Sequence, residues 1–264
     1  MNVKQAANVL ELIEFFAAHR RPATLAEVAK HFGWPRSSTF NLLGTLASRG
    51  YLYEPQARGS YYPSPKWLAL LQQIDRAEPI PEAFRLLLRV LAERTGETAV
   101  LAGSTGTHAV FLEAVESAHA IRYTAPPGKL VPLHVTATGR ALLSLLSPAE
   151  RAAVLRRATF ERYTATTLMS VAAVEDEIQR SVACGWFEGN GEFTDGLGGV
   201  AIPLKLPHRH FALLVAGPTS RIATRGRELA QIMTEEVARH LSELLSDAPA
   251  GAAPSAVKAR PRAA

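Results

Sequence analysis

A single cysteine, Cys184, stands in the whole chain. An intrachain disulfide and a zinc cluster built on several cysteines are therefore excluded, and the usage suits a reducing compartment. No apolar run reaches the roughly 18 residues that a membrane-spanning helix needs. No basic segment followed by an apolar stretch opens the chain, so the expected location is the cytoplasm. The motifs of nucleotide and acyl-transfer enzymes are also missing. There is no P-loop and no G-x-G-x-x-G. Gly103-Ser104-Thr105-Gly106 has the wrong spacing for a nucleophile elbow and reads as a hairpin turn. His208 and His210 sit two apart on a predicted turn with no third ligand in view, so no metal or cofactor is expected. Cys184, just before a glycine, reads as a small buried residue. Glu192 and Asp195 could pair as acid and base, yet nothing nearby looks like a nucleophile or an activated water. An enzyme is not expected.

What is present is charge placed unevenly. Residues 1–78 hold nine Lys/Arg against six Asp/Glu, and residues 248–264 hold three basic residues and no acid. The net charge of +5 thus sits at the two ends and leaves the long middle near neutral. That pattern suits a nucleic-acid module joined to a domain with another task. At 264 residues with 47% hydrophobic content, the chain can fill two ordinary domains.

Residues 24–62 organise the rest. Thr24-Leu25-Ala26-Glu27 fits a capping box, and Leu25, Val28, Ala29 and Phe32 follow at helical spacing. Gly33 can take the left-handed conformation that stops a helix, and Pro35 suits the first turn of another. In that second helix, predicted over 35–49, Phe40, Leu42, Leu43, Leu46 and Ala47 should pack inward. Ser37, Asn41, Gly44, Thr45 and Ser48 share the opposite face, which is small, uncharged and bordered by Arg36 and Arg49. A solubilising face would carry Glu and Lys; a small hydrogen-bonding face bordered by Arg is what close approach to a DNA groove needs. Residues 51–53 and 60–62 then read as two strands around a turn with Arg58 near its tip, a wing. An ordinary helical hairpin with a β-turn is the alternative.

The segment Gly33-Trp34-Pro35-Arg36-Ser37-Ser38-Thr39-Phe40-Asn41-Leu42-Leu43, with Gly50-Tyr51-Leu52 at the start of the wing, resembles the turn, recognition helix and wing of the IclR-type transcriptional regulators. The family often has a basic residue where Asn41 stands. The resemblance implies a winged helix-turn-helix that turns Ser37, Ser38, Thr39, Asn41 and Thr45 toward the major groove. Arg36 would reach a base or phosphate, and Arg58 a phosphate or the minor groove. It also implies a dimer, or a dimer of dimers, on operator DNA.

Elsewhere, residues 3–18 read as a helix with Val3, Ala6, Ala7, Leu10, Ile13 and Ala17 on its apolar face. Val9, Leu12 and Phe16 widen that face beyond what one small domain must bury. Helices are also predicted over 66–76, 82–94, 138–146, 148–157, 171–183 and 225–245. Strands are predicted over 98–102, 109–115, 120–124, 186–188, 200–205 and 211–216. The order is that of an α+β domain with an antiparallel sheet. The expected organisation is a DNA-binding domain over 1–63, a linker helix over 64–78, an effector and oligomerisation domain over 79–247, and a disordered basic tail over 248–264. The resemblance covers the second domain too and implies a GAF-like or profilin-like sheet around a small-molecule pocket.

Two stretches there match the family's effector contacts. Residues 126–143 resemble its loop-to-helix segment, which nominates His134, Thr136, Ala137 and Thr138. Thr136 or Thr138 can cap the helix, Gly139 allows close approach, and a helix start offers free N–H groups to an acceptor. A capped helix with nothing bound reads the same way. Residues 185–204 resemble the effector-contacting loop and strand, which nominates Gly189, Glu192, Leu197 and Gly199, with Leu214 and Ala216 on the opposite strand. Gly189, Gly198, Gly199, Leu214 and Ala216 replace polar groups seen in family members that hold small keto acids. The implied effector is larger and partly apolar, such as an aromatic carboxylate. An architectural DNA-binding protein whose second domain only oligomerises is the rival reading.

Overall fold

The computed structural model describes residues 3–55, 59–77, 80–206 and 209–246. Two compact units divide between Ile80 and Pro81.

The first unit opens with α1 (Lys4–His19), followed by β1 (Ala23–Thr24), α2 (Leu25–Phe32) and α3 (Arg36–Ser48). Strands β2 (Leu52–Tyr53) and β3 (Ser60–Pro63) and helix α4 (Lys66–Ala77) complete it. Thr24 does two jobs. Its extended backbone pairs with Ser60, and its hydroxyl accepts from the Glu27 N–H while the Glu27 carboxylate accepts from the Thr24 N–H. These bonds and the neighbouring Arg21 hold the exposed Glu27 carboxyl at a pKa of about 2. Gly33 follows at φ 65° and stops α2. Strand β1 is two residues long, too short to carry a period, and it joins β3 and β2 in the order β1-β3-β2. Leu12, Phe16, Val28, Leu43, Leu46 and Leu52 fill the core. Each such side chain contributes about 1.5–3 kcal/mol when fully buried.

Helix α1 turns a different face inward from the one expected. Leu12, Phe15 and Phe16 are buried, while Val3 and Leu10 are 63% and 65% exposed. The aromatic pair supplies the volume that the α2–α3 hairpin needs, and this places Leu10 outside. On α4, Leu68, Leu71 and Ile74 also face outward, while the Trp67 indole N–H donates to the Tyr51 carbonyl.

The second unit starts with α5 (Glu82–Thr95) and builds a six-stranded antiparallel sheet. Its strands are β4 (Thr98–Thr105), β5 (His108–Val115), β6 (Leu130–Pro132), β7 (Phe187–Asn190), β8 (Leu197–Lys205) and β9 (His210–Pro218). The spatial order is β6-β5-β4-β9-β8-β7. Between β6 and β7 come α6 (Ala137–Ser144), α7 (Pro148–Arg157) and α8 (Val171–Cys184); α9 (Thr219–Ile222) and α10 (Gly226–Ser246) close the unit. The strand expected over 120–124 does not form. The edge of β5 is taken instead by residues 130–132, which pair with 108–110, while 120–124 stay irregular. Helix α7 begins with a capping box in which Ser147 and Glu150 satisfy each other, as Thr24 and Glu27 do. Cys184 is buried.

Buried carboxylates in this unit are paired with arginines. Arg221 pairs with the buried Glu97 carboxylate, which lies so close to Gly217 that a Cβ there would sit 2.1 Å from its oxygen. The buried Glu236 carboxylate on α10 is paired with Arg94 from α5.

Candidate nucleic-acid interface and ligand cavity

Helix α3 has one buried row, Thr39, Leu43 and Leu46. Arg36, Ser37, Ser38, Asn41, Thr45 and Ser48 are exposed, as the groove-facing reading requires. Two neighbours exchange their expected places. Thr39, expected toward the groove, is fully buried, and its hydroxyl donates to the Pro35 carbonyl at 3.0 Å. Phe40, expected inside, is 60% exposed. A buried helical threonine can satisfy its hydroxyl on the preceding turn, so Thr39 is buried without leaving a polar group unpaired. Thr39 therefore cannot touch a base. Thr45 is exposed, and its hydroxyl donates to the Asn41 carbonyl at 2.7 Å. Lys4 and Asn8 of α1 line one groove with Ser38, Asn41 and Thr45, an approach that α1 alone does not signal. Arg58 lies outside the described residues.

In the second unit a cleft of about 440 Å³, open space at its mouth included, lies between β5, β8, β9 and the start of α6. Among the residues expected there, Thr136, Ala137, Thr138, Gly189, Glu192, Leu197, Gly199, Leu214 and Ala216 all line it. His134 does not. Val131, Val135 and Thr136 reach the cleft, whereas His134 is buried elsewhere with its ring 4.6 Å from that of Phe160. Neither of its ring nitrogens has a hydrogen-bond partner among the described residues. Burial, with Arg140 and His108 nearby, lowers the His134 pKa and favours the neutral ring. The walls that were not foreseen are mainly aromatic and aliphatic: Phe111, Tyr123, Val131, Val135 and Phe193. Alternation along β5 could have marked Phe111; Tyr123 lies on irregular chain and gave no signal. Burial pushes the Tyr123 hydroxyl up to about 12, so it remains a neutral donor. Trp186 and Phe187 are buried but do not fill the cleft.

The floor is the first turn of α6. Thr136 is its cap, accepting from the Gly139 N–H at 3.1 Å and donating to the Pro132 carbonyl. The Arg140 N–H is taken by the Thr136 carbonyl. The N–H groups of Ala137 and Thr138 are those the helix itself leaves without a partner, at the positive end of its dipole. Gly139 brings this turn against residue 133: a Cβ there would stand 2.2 Å from the Leu133 carbonyl oxygen.

Among the described lining residues, Glu192 is the one ionisable acid or base besides Tyr123, and its carboxylate is paired. The fully buried Arg140 reaches one carboxylate oxygen at 3.4 Å and the Glu188 carbonyl at 2.8 Å. The Asn190 N–H donates to the other carboxylate oxygen. Thr164 and Thr167 hydroxyls donate to the Glu192 carbonyl at 3.2 and 2.8 Å. The loop from 190 to 196 is therefore tied both to the helix under the cleft and to the segment before α8.

A helix-turn-helix head with a wing, followed by an antiparallel-sheet domain that encloses a cleft, defines a DNA-binding regulator with a separate sensing domain. Residues 5–55 match the IclR helix-turn-helix domain, and residues 72–243 match the bacterial transcriptional regulator IclR C-terminal domain. The chain belongs to the IclR family of transcriptional regulators. It is 30% identical over 240 residues to the HTH-type transcriptional regulator BhcR of Paracoccus denitrificans, covering 90% of this chain and 85% of that one. It is 28% identical to the acetate operon repressor of Salmonella typhimurium, over 83% of this chain and 82% of that one. The crystal structure of the Thermotoga maritima IclR superposes with a TM-score of 0.73 at 19% identity, covering 92% of this chain and 99% of that one. The IclR transcriptional regulator from Alicyclobacillus acidocaldarius gives 0.69 at 22% identity, over 92% and 99%. The chain is thus a DNA-binding transcriptional regulator and not an enzyme. No described helix is long and apolar enough to cross a membrane.

Proposed function

We propose that this chain is a ligand-responsive repressor of a catabolic operon in the cytoplasm. Its effector is a partly apolar carboxylate, with aromatic acids the leading class. The observation that carries this reading is a cleft whose walls are Phe111, Tyr123, Val131, Val135 and Leu214 and whose floor is the amide-bearing first turn of α6. Apolar walls with a few polar groups suit a ring, and the helix start suits its carboxylate. With Glu192 already neutralised by Arg140, no uncompensated negative charge opposes the anion. The repressor assignment follows relatives that are repressors, among them the acetate operon repressor of Salmonella typhimurium.

The DNA-reading groups are Arg36, Ser37, Ser38, Asn41 and Thr45, with Arg58 at the wing. Asn41 can offer the two-bond pairing to adenine that its side chain favours. The active form is a homodimer, or a dimer of dimers. Outward apolar side chains support it: Val3 just before α1 and Leu10 on it, and Leu68, Leu71 and Ile74 on α4. Effector binding shifts the balance of head arrangements, with a coupling on the order of 1–3 kcal/mol.

The test is binding to duplexes from upstream of its own gene and neighbouring genes, titrated with benzoate-type acids, glyoxylate and pyruvate. Release by one aromatic acid at concentrations where the small acids do nothing supports the reading. Specific binding indifferent to every compound favours the architectural alternative.

A further inference from the structure

The exchange of Thr39 and Phe40 leaves a large apolar ring on a helix face that otherwise carries small polar groups. Phe40 is 60% exposed, with Ser37 one turn before it and Gly44 one turn after. Gly44 itself is unexplained by the protein's own packing. A Cβ built there meets nothing within 4 Å. Glycine inside a helix costs about 0.5–1 kcal/mol relative to alanine, so its missing side chain leaves a gap that faces outward at a cost in helix stability. Phe40 leans over the turn that precedes it, as long helical side chains do, and the gap at Gly44 opens on its other side. Helix α3 carries no acid, and Arg36 stands exposed at its first turn, so nothing on this face repels a polyanion.

We infer that Phe40 is a specificity-determining residue: its ring and the gap at Gly44 receive the C5-methyl of one thymine in each operator half-site. This rests on α3 being the helix that enters the major groove. Thymine is the base that offers an apolar group there, and phenylalanine is a side chain that meets it. The open space at Gly44 admits a methyl beside the ring, whereas a base edge read by hydrogen bonds would call for a polar side chain at position 40.

The experiment uses the full-length protein and the tightest-binding duplex recovered by selection from random DNA. Each thymine in turn is replaced by uracil, which removes only the methyl. One position in each half-site is expected to lose about fourfold in affinity, the value of one buried methyl-sized group, while the others stay flat. Phe40→Ala should bind the thymine and uracil duplexes equally. Gly44→Ala should weaken the thymine duplex more than the uracil duplex, because the added methyl takes the same space. Specific binding with no methyl dependence at any position overturns the inference and leaves the docking of α3 intact. So does methyl dependence that survives Phe40→Ala, or a change of oligomeric state in Phe40→Ala, which would place the ring in a subunit contact. If the wild-type protein shows no sequence preference at all, the docking of α3 fails with it.

Discussion

Helices α3 and α6 both carry a glycine near small polar residues, and the two glycines serve opposite ends. At Gly139 the protein presses on the position from within: an added Cβ would meet the backbone of Leu133 at 2.2 Å. At Gly44 it leaves the position open, with nothing within 4 Å. One glycine seats the helix start that floors a cleft against the backbone of Leu133. The other leaves space on an outward face. Small residues on a helix thus mean tight internal packing in one unit and an unoccupied surface in the other, and only the neighbours tell which.

The largest test of this contrast is Gly139→Ala. Because the obstructing atoms are backbone, they cannot swing aside, and we expect a loss of about 3 kcal/mol, at the upper end for overpacking. Denaturant unfolding checks it; a loss under 1 kcal/mol would mean that α6 can slide, and the rigid floor would be abandoned. Next comes Thr136→Ala, which removes the cap. It should cost about 1 kcal/mol by the same assay and weaken effector binding by loosening the first turn. Gly44→Ala should have the opposite sign, stabilising the first unit by about 0.5–1 kcal/mol, read as a higher unfolding midpoint. Destabilisation there would show that an internal contact, and not an external one, requires the glycine.

The smallest effect expected is a pH dependence. The folded protein holds His134 neutral, with its pKa below the usual histidine value because of burial, then Arg140 and His108. The unfolded chain therefore binds more protons in mild acid. This contribution to stability is complete above the unfolded pKa, near 6.5, and is lost as pH falls through that value toward the folded one. His134→Phe should flatten the slope between about pH 7 and pH 5, measured by unfolding midpoints at intervals of pH. An unchanged slope would move the titration to another group.

Much of the fold was legible because its signals are local. The Thr24–Glu27 box, the stop at Gly33, the Ser147 cap and the helix over 148–157 each depend on residues within one turn of each other. The family motif brought the cleft residues to the right segments, and nine of the ten lie on its walls. His134 lies off the cleft because residues 133–135 form a turn, and a turn does not keep the alternation by which a strand assigns its sides. The strand expected over 120–124 failed because strand pairing depends on which segment reaches the edge of β5 first in space, and its own residues carry no sign of that.

Composition and local pattern alone determined a two-part chain, a helix-turn-helix with a small polar face, an α+β second domain, and the absence of enzymatic motifs. Tertiary structure alone decided that Thr39 goes in and Phe40 stays out, that Gly139 is pressed while Gly44 is open, and that Arg140 sits buried under Glu192. Helical period narrows a residue to a side of the helix. Whether that side meets a large or a small space depends on the volume left by elements distant in sequence, and close packing makes that volume decisive to within a methyl group.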